Sequence, residues 1–294
     1  MVKMINNTNI FVIVGSVNNS ELSNQEILIW DDKTKKKIYK LLIKKDILNL
    51  ELTSNKIIVV CDTIIYIFNS KSFQLIDIIK TGKNPRGLIA VSYKERNIIV
   101  YPSAKSEHGK LIIKNYDTNN YIYLNPHEHE ITHISISYNG IFLATASQDG
   151  KKIRIFEVKT GRFLDEFHRE EIDKIKSISI NKNNNFISVS PQKGSIPLWS
   201  LKKAKILIGA EIEEFDKVTN IHGFIVEKEK SFNHVNLKRF NDPEFLAVKP
   251  GDQNLLYIIT LDGVFFKIKF ESNVKTKKAE GNFELLNLDN LFSK

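Results

Sequence analysis

Apolar residues along this chain come in short β-branched runs, not in a helical stripe. IFVIVGS, ILIW, KIIVVC, IIYIF, RNIIVY, KLIIKNY, HISIS, IFLATAS, IRIF, FISVS, LLYIIT and VFFKIKF recur along it, and many alternate apolar with polar positions. A period of two puts successive side chains on opposite faces of a sheet, so these runs predict strands. Asn139-Gly140, Asp149-Gly150, Lys193-Gly194 and Asp262-Gly263 punctuate them as hairpin signals. No long helix is predicted.

A longer period lies over the short one. An aromatic residue closes an aliphatic strand before a polar turn in IWDDKT, IFNSKS, NYDTNN, IFEVKT and LWSLKK. The aromatics Trp30, Phe68, Tyr116, Phe156 and Trp199 stand 38, 48, 40 and 43 residues apart. Those intervals bracket the ~40–45-residue period of a four-stranded propeller blade. A sixth unit ends in LDGVFFKIKF at Phe270. The expected fold is therefore all-β: a WD40-like β-propeller with six recognisable blade equivalents over residues 1–270. The interval from Gly194 to Gly263 is 69 residues against 44 from Gly150 to Gly194. That excess predicts an inserted loop at about 202–229. Residues 271–294 are expected as a C-terminal tail.

One motif argues for an enzyme and fails on its element. HEITH, His129 to His133, has the H-E-x-x-H spacing of zinc metalloproteases, which needs a helix to bring both imidazoles to one metal. Here the flanking residues alternate as a strand, and Pro126 blocks a helix entering from upstream. Positions four apart on a strand are separated by ~13 Å. Neither a metal nor another cofactor is expected, nor catalysis.

Composition narrows the setting. Of 294 residues 42% are hydrophobic, and no apolar run approaches the ~18 residues of a membrane span. The N-terminal stretch lacks the basic region and long apolar core of a signal peptide. A single cysteine, Cys61, excludes an internal disulfide and suits a reducing cytosol. The net charge of +9 favours anionic partners. Only six of the basic residues are arginine, few for a protein that reads bases, so nucleic acid is not the expected partner.

The order IWDDKT, KIIVVCDTIIYIFN, NPRGLIAVS, LATASQDGKKIRIFEVKTGRFLDEF, FISVSPQKGSIPLWSL resembles the PROPPIN family over residues 9–270. These are β-propellers that bind polyphosphoinositides and include autophagy proteins. The family has seven blades, and this chain begins where the second would start. The resemblance implies a ring of six, a truncated form, or a gap filled by the tail or by a second chain.

The family's Phe-Arg-Arg-Gly tetrapeptide, whose arginines serve two headgroup pockets, corresponds here to Phe167, His168, Arg169 and Glu170. A guanidinium grips phosphate with two donors and is always charged, whereas an imidazole offers one donor per nitrogen and is mostly neutral at pH 7. By resemblance the first pocket draws on His127, Ser147, Arg154 and His168, with Lys151 as a replacement charge. The second draws on Arg169, Ser190, Lys193 and Ser195. The inserted loop corresponds to one that dips into the bilayer, where Ile206, Leu207, Ile208, Phe215, Phe224 and Ile225 would insert. The opposing reading of that segment is an extra packed strand pair.

The function so implied is a scaffold that docks on membranes bearing phosphatidylinositol 3-phosphate or the 3,5-bisphosphate and recruits autophagy or trafficking partners. Its place would be the cytoplasm, peripherally bound to endosomal or autophagic membranes. The alternative is a propeller without lipid binding that serves only as a protein-interaction platform. Oligomeric state is not legible.

Overall fold

The computed structural model describes residues 1–17, 22–93, 97–104, 109–169, 174–192, 196–209, 233–235, 245–251, 255–260, 265–269 and 283–286. They form two compact units, Met1–Glu128 and His129–Lys294. Each described unit holds three four-stranded antiparallel sheets.

In the first unit, sheet one is β1 (Val2–Met4), β2 (Ile10–Val14), β3 (Glu26–Asp31) and β4 (Lys36–Leu42). Sheet two is β5 (Asn49–Leu52), β6 (Lys56–Val60), β7 (Ile64–Asn69) and β8 (Leu75–Lys80). Sheet three is β9 (Ala90–Val91), β10 (Ile98–Pro102), β11 (Leu111–Asn115) and β12 (Asn120–Leu124). Strands follow one another in space as in sequence, so each sheet is a meander. Val12, Val14, Ile27 and Ile29 of sheet one pack with Leu50, Ile57, Val59 and Cys61 of sheet two. On the other face of sheet two, Ile58, Val60, Ile65 and Ile67 meet Val91, Ile99 and Tyr101 of sheet three. A strand covered on both faces favours apolar residues, and KIIVV of β6 is buried at all five positions, its one polar residue, Lys56, donating to Asn97 Oδ1 at 2.8 Å. Cys61 lies in this core, and burial pushes its thiol up to about 11, which leaves it protonated and unreactive at neutral pH.

In the second unit, sheet four is β13 (Ile131–Ile136), β14 (Phe142–Ser147), β15 (Lys152–Glu157) and β16 (Phe163–His168). Sheet five is β17 (Ile175–Ile180), β18 (Phe186–Pro191), β19 (Ile196–Ser200) and β20 (Asn233–Val235). Sheet six is β21 (Phe245–Pro250), β22 (Leu255–Thr260), β23 (Phe265–Lys269) and β24 (Phe283–Leu286). Phe142, Phe167, Ile187 and Trp199 form the centre of the core between sheets four and five. The Phe167 and Trp199 rings stack with centroids 5.4 Å apart.

At three of its five positions the aromatic repeat has a structural cause. Pairing with the outer strand shifts register at Ile29/Trp30, Ile67/Phe68 and Ile155/Phe156. At each place the third strand meets a fourth strand carrying one extra residue, a β-bulge that bends the ribbon. Trp30, Phe68 and Phe156 mark those bulges, and Phe156 packs edge-on against Phe163 across one of them. The inner strands of the second unit bulge too, between Ile131/His133, Ile175/Ser177 and Phe245/Ala247.

Two of the four glycine signals fall on described residues. Gly140 (φ 68°) and Gly150 (φ 61°) adopt left-handed backbone, and their amides close turns onto Ser137 O and Ser147 O at 2.8 and 3.0 Å. A side chain with Cβ is strained there.

The segment expected as an inserted loop falls between β19 and β20. It does not begin as a loop: α1 (Lys202–Leu207) opens it. Ala204 and Lys205 are buried, and Leu201 and Ile208 pack on either side of α1 into the core of sheets four and five. The rest of the expected loop, including Phe215, Phe224 and Ile225, lies outside the described residues. Of the expected tail, Phe283–Leu286 pairs with β23 as the fourth strand of sheet six.

Candidate functional site

The strand register builds the site at one end of sheet four. β15 and β16 pair Lys152 with His168 and Arg154 with Glu166. Because side chains alternate, these four share one face of the hairpin. Glu166 stands at their centre. Its carboxylate accepts from Arg154 Nε at 2.8 Å, with Lys152 Nζ at 3.1 Å and His168 Nε2 at 3.0 Å. Arg154, Lys152 and His168 keep 28%, 40% and 30% of their side-chain surface exposed, so the cluster is open to a solute. Burial would raise the Glu166 carboxyl, but hydrogen bonds from Arg154 and Lys152 outweigh it and hold the group below the ordinary glutamate range. The exposed Lys151 lies in the adjoining turn.

Arg169 follows directly and faces inward. It is 8% exposed; its Nη1 donates to Gly150 O at 2.9 Å and its amide to Lys151 O at 2.9 Å. Arg169 thus braces the turn that carries Lys151, and its guanidinium is not displayed at the surface. Ser147 and Ser190, expected in the two pockets, also face inward. Both are buried; Ser147 Oγ donates to Asp149 Oδ1 at 2.7 Å, and Ser190 Oγ lies 3.5 Å from Pro191 O. His127 is buried at the end of the first unit. Lys193 and Ser195 lie outside the described residues.

Of the expected residues, Arg154 and His168 thus meet at Glu166, Arg169 braces the turn that carries Lys151, and Ser147 turns to Asp149 in the same turn. Lys152 and Glu166 complete the cluster and were missed in the sequence. Their signal was there: Glu166 stands two residues before His168, as Lys152 stands two before Arg154, so each pair shares a face.

Ile206 and Leu207 are exposed at 42% and 48%. Ile208 instead packs against the core, and Lys205 is buried with its Nζ on Asn185 Oδ1. Lys203 Nζ pairs with buried Asp165 at 2.9 Å, and Arg162 Nη2 donates to Leu207 O at 2.7 Å. Helix α1 is therefore pinned to sheet four rather than loose at its base.

HEITH lies across a strand start, with His129 before β13 and His133 within it. Its Nδ1 is 3.1 Å from Thr132 Oγ1. Among the described residues no three His, Cys, Asp or Glu side chains gather as metal ligands.

The sequence model of the PROPPIN family matches residues 3–211. The chain belongs to the PROPPIN family. Among curated PROPPIN relatives, Autophagy-related protein 18e of Arabidopsis thaliana is 27% identical over 268 residues, 90% of this chain and 70% of that protein. Autophagy-related protein 18 of Dictyostelium discoideum is 27% identical over 202 residues, 68% of this chain and 54% of its own length. The chain thus spans about half of that relative. Among solved structures, Kluyveromyces lactis Hsv2 with complete loop 6CD superposes with a TM-score of 0.74 at 18% identity, covering 96% of this chain and 84% of that one. KlAtg21, solved in complex with the coiled-coil of AgAtg16, gives 0.75 at 16% identity over 97% and 84%. The six sheets are blades of a PROPPIN-type β-propeller fold.

Proposed function

We propose that this PROPPIN chain is a non-catalytic scaffold of autophagy or related trafficking. It docks peripherally on membranes bearing phosphatidylinositol 3-phosphate or 3,5-bisphosphate and recruits protein partners there. The observation that carries the lipid half is the open face of sheet four, where Lys152, Arg154 and His168 surround a single carboxylate, with exposed Lys151 in the adjoining turn. Phosphate oxygens compete there with Glu166 for the same donors, and charge-assisted bonds to phosphate are the strong ones. The family relation to Autophagy-related protein 18 supports the process, and the coiled-coil bound by KlAtg21 supports a partner-recruiting role. Exposed Ile206 and Leu207, anchored through α1, are the residues proposed to reach the acyl boundary.

Flotation with liposomes containing or lacking phosphatidylinositol 3-phosphate, at several salt concentrations, tests the reading. Binding that requires the phosphoinositide and weakens with salt supports it; no binding to either leaves the protein platform alone. Glu166→Gln removes the internal competitor, so it is expected to raise affinity about tenfold, the worth of one charge-assisted hydrogen bond. A fall in affinity would mean that Glu166 is needed to hold Arg154 and Lys152 in place.

Arg169→Ala is expected to weaken binding about tenfold. With the guanidinium turned inward, the loss would come through the turn at Gly150 that carries Lys151, and through the buried charge only at a distance. Arg169→Lys, which keeps the charge but not the fork, separates the two: rescue points to charge, failure to the turn.

A further inference from the structure

The outer strand of sheet one is unlike its neighbours in the first unit. Among the described residues no strand pairs with the outer edge of β4, so its backbone groups there are available for a further ladder. β4 and its flanks carry seven lysines, Lys33, Lys35, Lys36, Lys37, Lys40, Lys44 and Lys45, all exposed. Lys35 pairs with Asp32 at 2.8 Å and Lys40 with Glu26 at 2.9 Å. Among the described residues Lys33, Lys36, Lys37, Lys44 and Lys45 form no ion pair.

Ile38 and Leu42 stand among these lysines, 45% and 59% exposed, and Tyr39 is held in place by stacking on Phe73 at 5.2 Å. Lysine on an edge strand also guards against aggregation. That need alone does not account for this run. β8, LIDIIK, carries one lysine and one aspartate, and β12, NYIYL, carries no charge, although both are outer strands of the same unit.

We propose that the outer edge of β4 accepts an acidic, extended segment of a partner protein as a fifth strand of sheet one. Main-chain bonds to the edge would supply the affinity and the alternate side chains the selectivity. Opposite charges directly across a strand pair are favourable and like charges unfavourable, so the same lysines exclude a second β4 and admit an acidic strand. Ile38 and Leu42 are the positions for apolar residues between the acids. The proposal deepens the partner-recruiting half of the function above and rests on it, independently of lipid binding.

The test uses a short synthetic peptide alternating Glu with Val, labelled with fluorescein, and fluorescence anisotropy on the full chain. A second peptide of the same charge has Pro at alternate valines and cannot form a ladder. The alternating peptide is expected to bind, to protect β4 amides from hydrogen exchange, and to weaken with salt. Lys36→Glu/Lys37→Glu is expected to cost about fivefold: adjacent residues face opposite sides, so one of the two reversed charges meets glutamate directly across the pair. Equal binding of the proline peptide would show a non-specific anionic surface and overturn the proposal. So would absence of binding at millimolar peptide, or indifference to the double variant. Loss of anionic-vesicle binding in the double variant without any peptide binding would assign this strand to the membrane instead. Because the peptide assay contains no lipid, its failure is read separately from that of the flotation assay.

Discussion

Phe167→Ala is expected to lower the stability of the second unit by about 3–5 kcal/mol, the cost of deleting a large side chain from a filled core. Phe167 is fully buried, stacks on Trp199, and shares its core with Phe142, Ile153 and Ile187. Backbone on both sides is fixed by ladders, so the cavity has little scope to collapse. Urea unfolding followed by tryptophan fluorescence measures the change. The chain has two tryptophans, Trp30 in the first unit and Trp199 in the second, so a Trp30→Phe background isolates the relevant signal. An unchanged midpoint would mean that the stacked pair is not packed as described. Phe167 pairs with Ile153 on the face of the hairpin opposite Arg154 and His168, so the phosphoinositide binding proposed above is expected to survive in the variant well below its melting temperature and to disappear with unfolding.

A second large effect is expected in the first unit, at Asp77. Its carboxylate pairs with Lys114 Nζ at 2.6 Å and accepts from Tyr116 Oη at 2.8 Å. Lys114 lies over the Tyr116 and Tyr121 rings at 4.2 and 5.4 Å, with only 9% of its side chain exposed. Asp77→Ala leaves that ammonium nearly buried without its counter-charge, so a loss of about 3 kcal/mol is expected. Burial raises the Asp77 carboxyl, but the bonds from Lys114 and Tyr116 outweigh it and set it below its ordinary 3.8. A carboxyl depressed in the folded state stabilises above the unfolded value and loses that contribution as pH falls through the folded one. Wild type should therefore lose stability below about pH 3.8 more steeply than Asp77→Ala. Parallel acid titrations of the two, followed by near-ultraviolet circular dichroism, decide it; coincident slopes would remove the ion pair from the account.

How much of this was legible beforehand depended on burial. Strands such as KIIVV of β6 and IIVYP of β10 are enclosed on both faces, and their β-branched runs announced them. The outer strands were harder to see. KKIYKLL of β4 and LIDIIK of β8 are largely exposed, so no core constrains which residues they carry. Helix α1 was invisible because six residues are too few to show a period, and its buried Lys205 looks like a surface residue in the sequence. The cluster around Glu166 was half legible. Arg154 and His168 were singled out by family register, but the carboxylate joining them emerges only once the hairpin pairing is known. Arg169 was found for its charge, and its inward turn toward Gly150 depends on packing that no linear pattern records.

The recurring bulges beside Trp30, Phe68 and Phe156 carry an evolutionary consequence. Each of those meanders sets its own alignment from within, through one extra residue at a fixed place, and borrows nothing from the meander before it. A duplication or deletion of one whole unit of about 40 residues would leave the alignment of every other unit intact. A change of one residue inside a regularly paired stretch would not: removing Ile58 from β6 would exchange the inward and outward sides of everything beyond it on that strand. Lineages built on this plan are therefore free to differ in whole units, while length variation within a unit is confined to its turns.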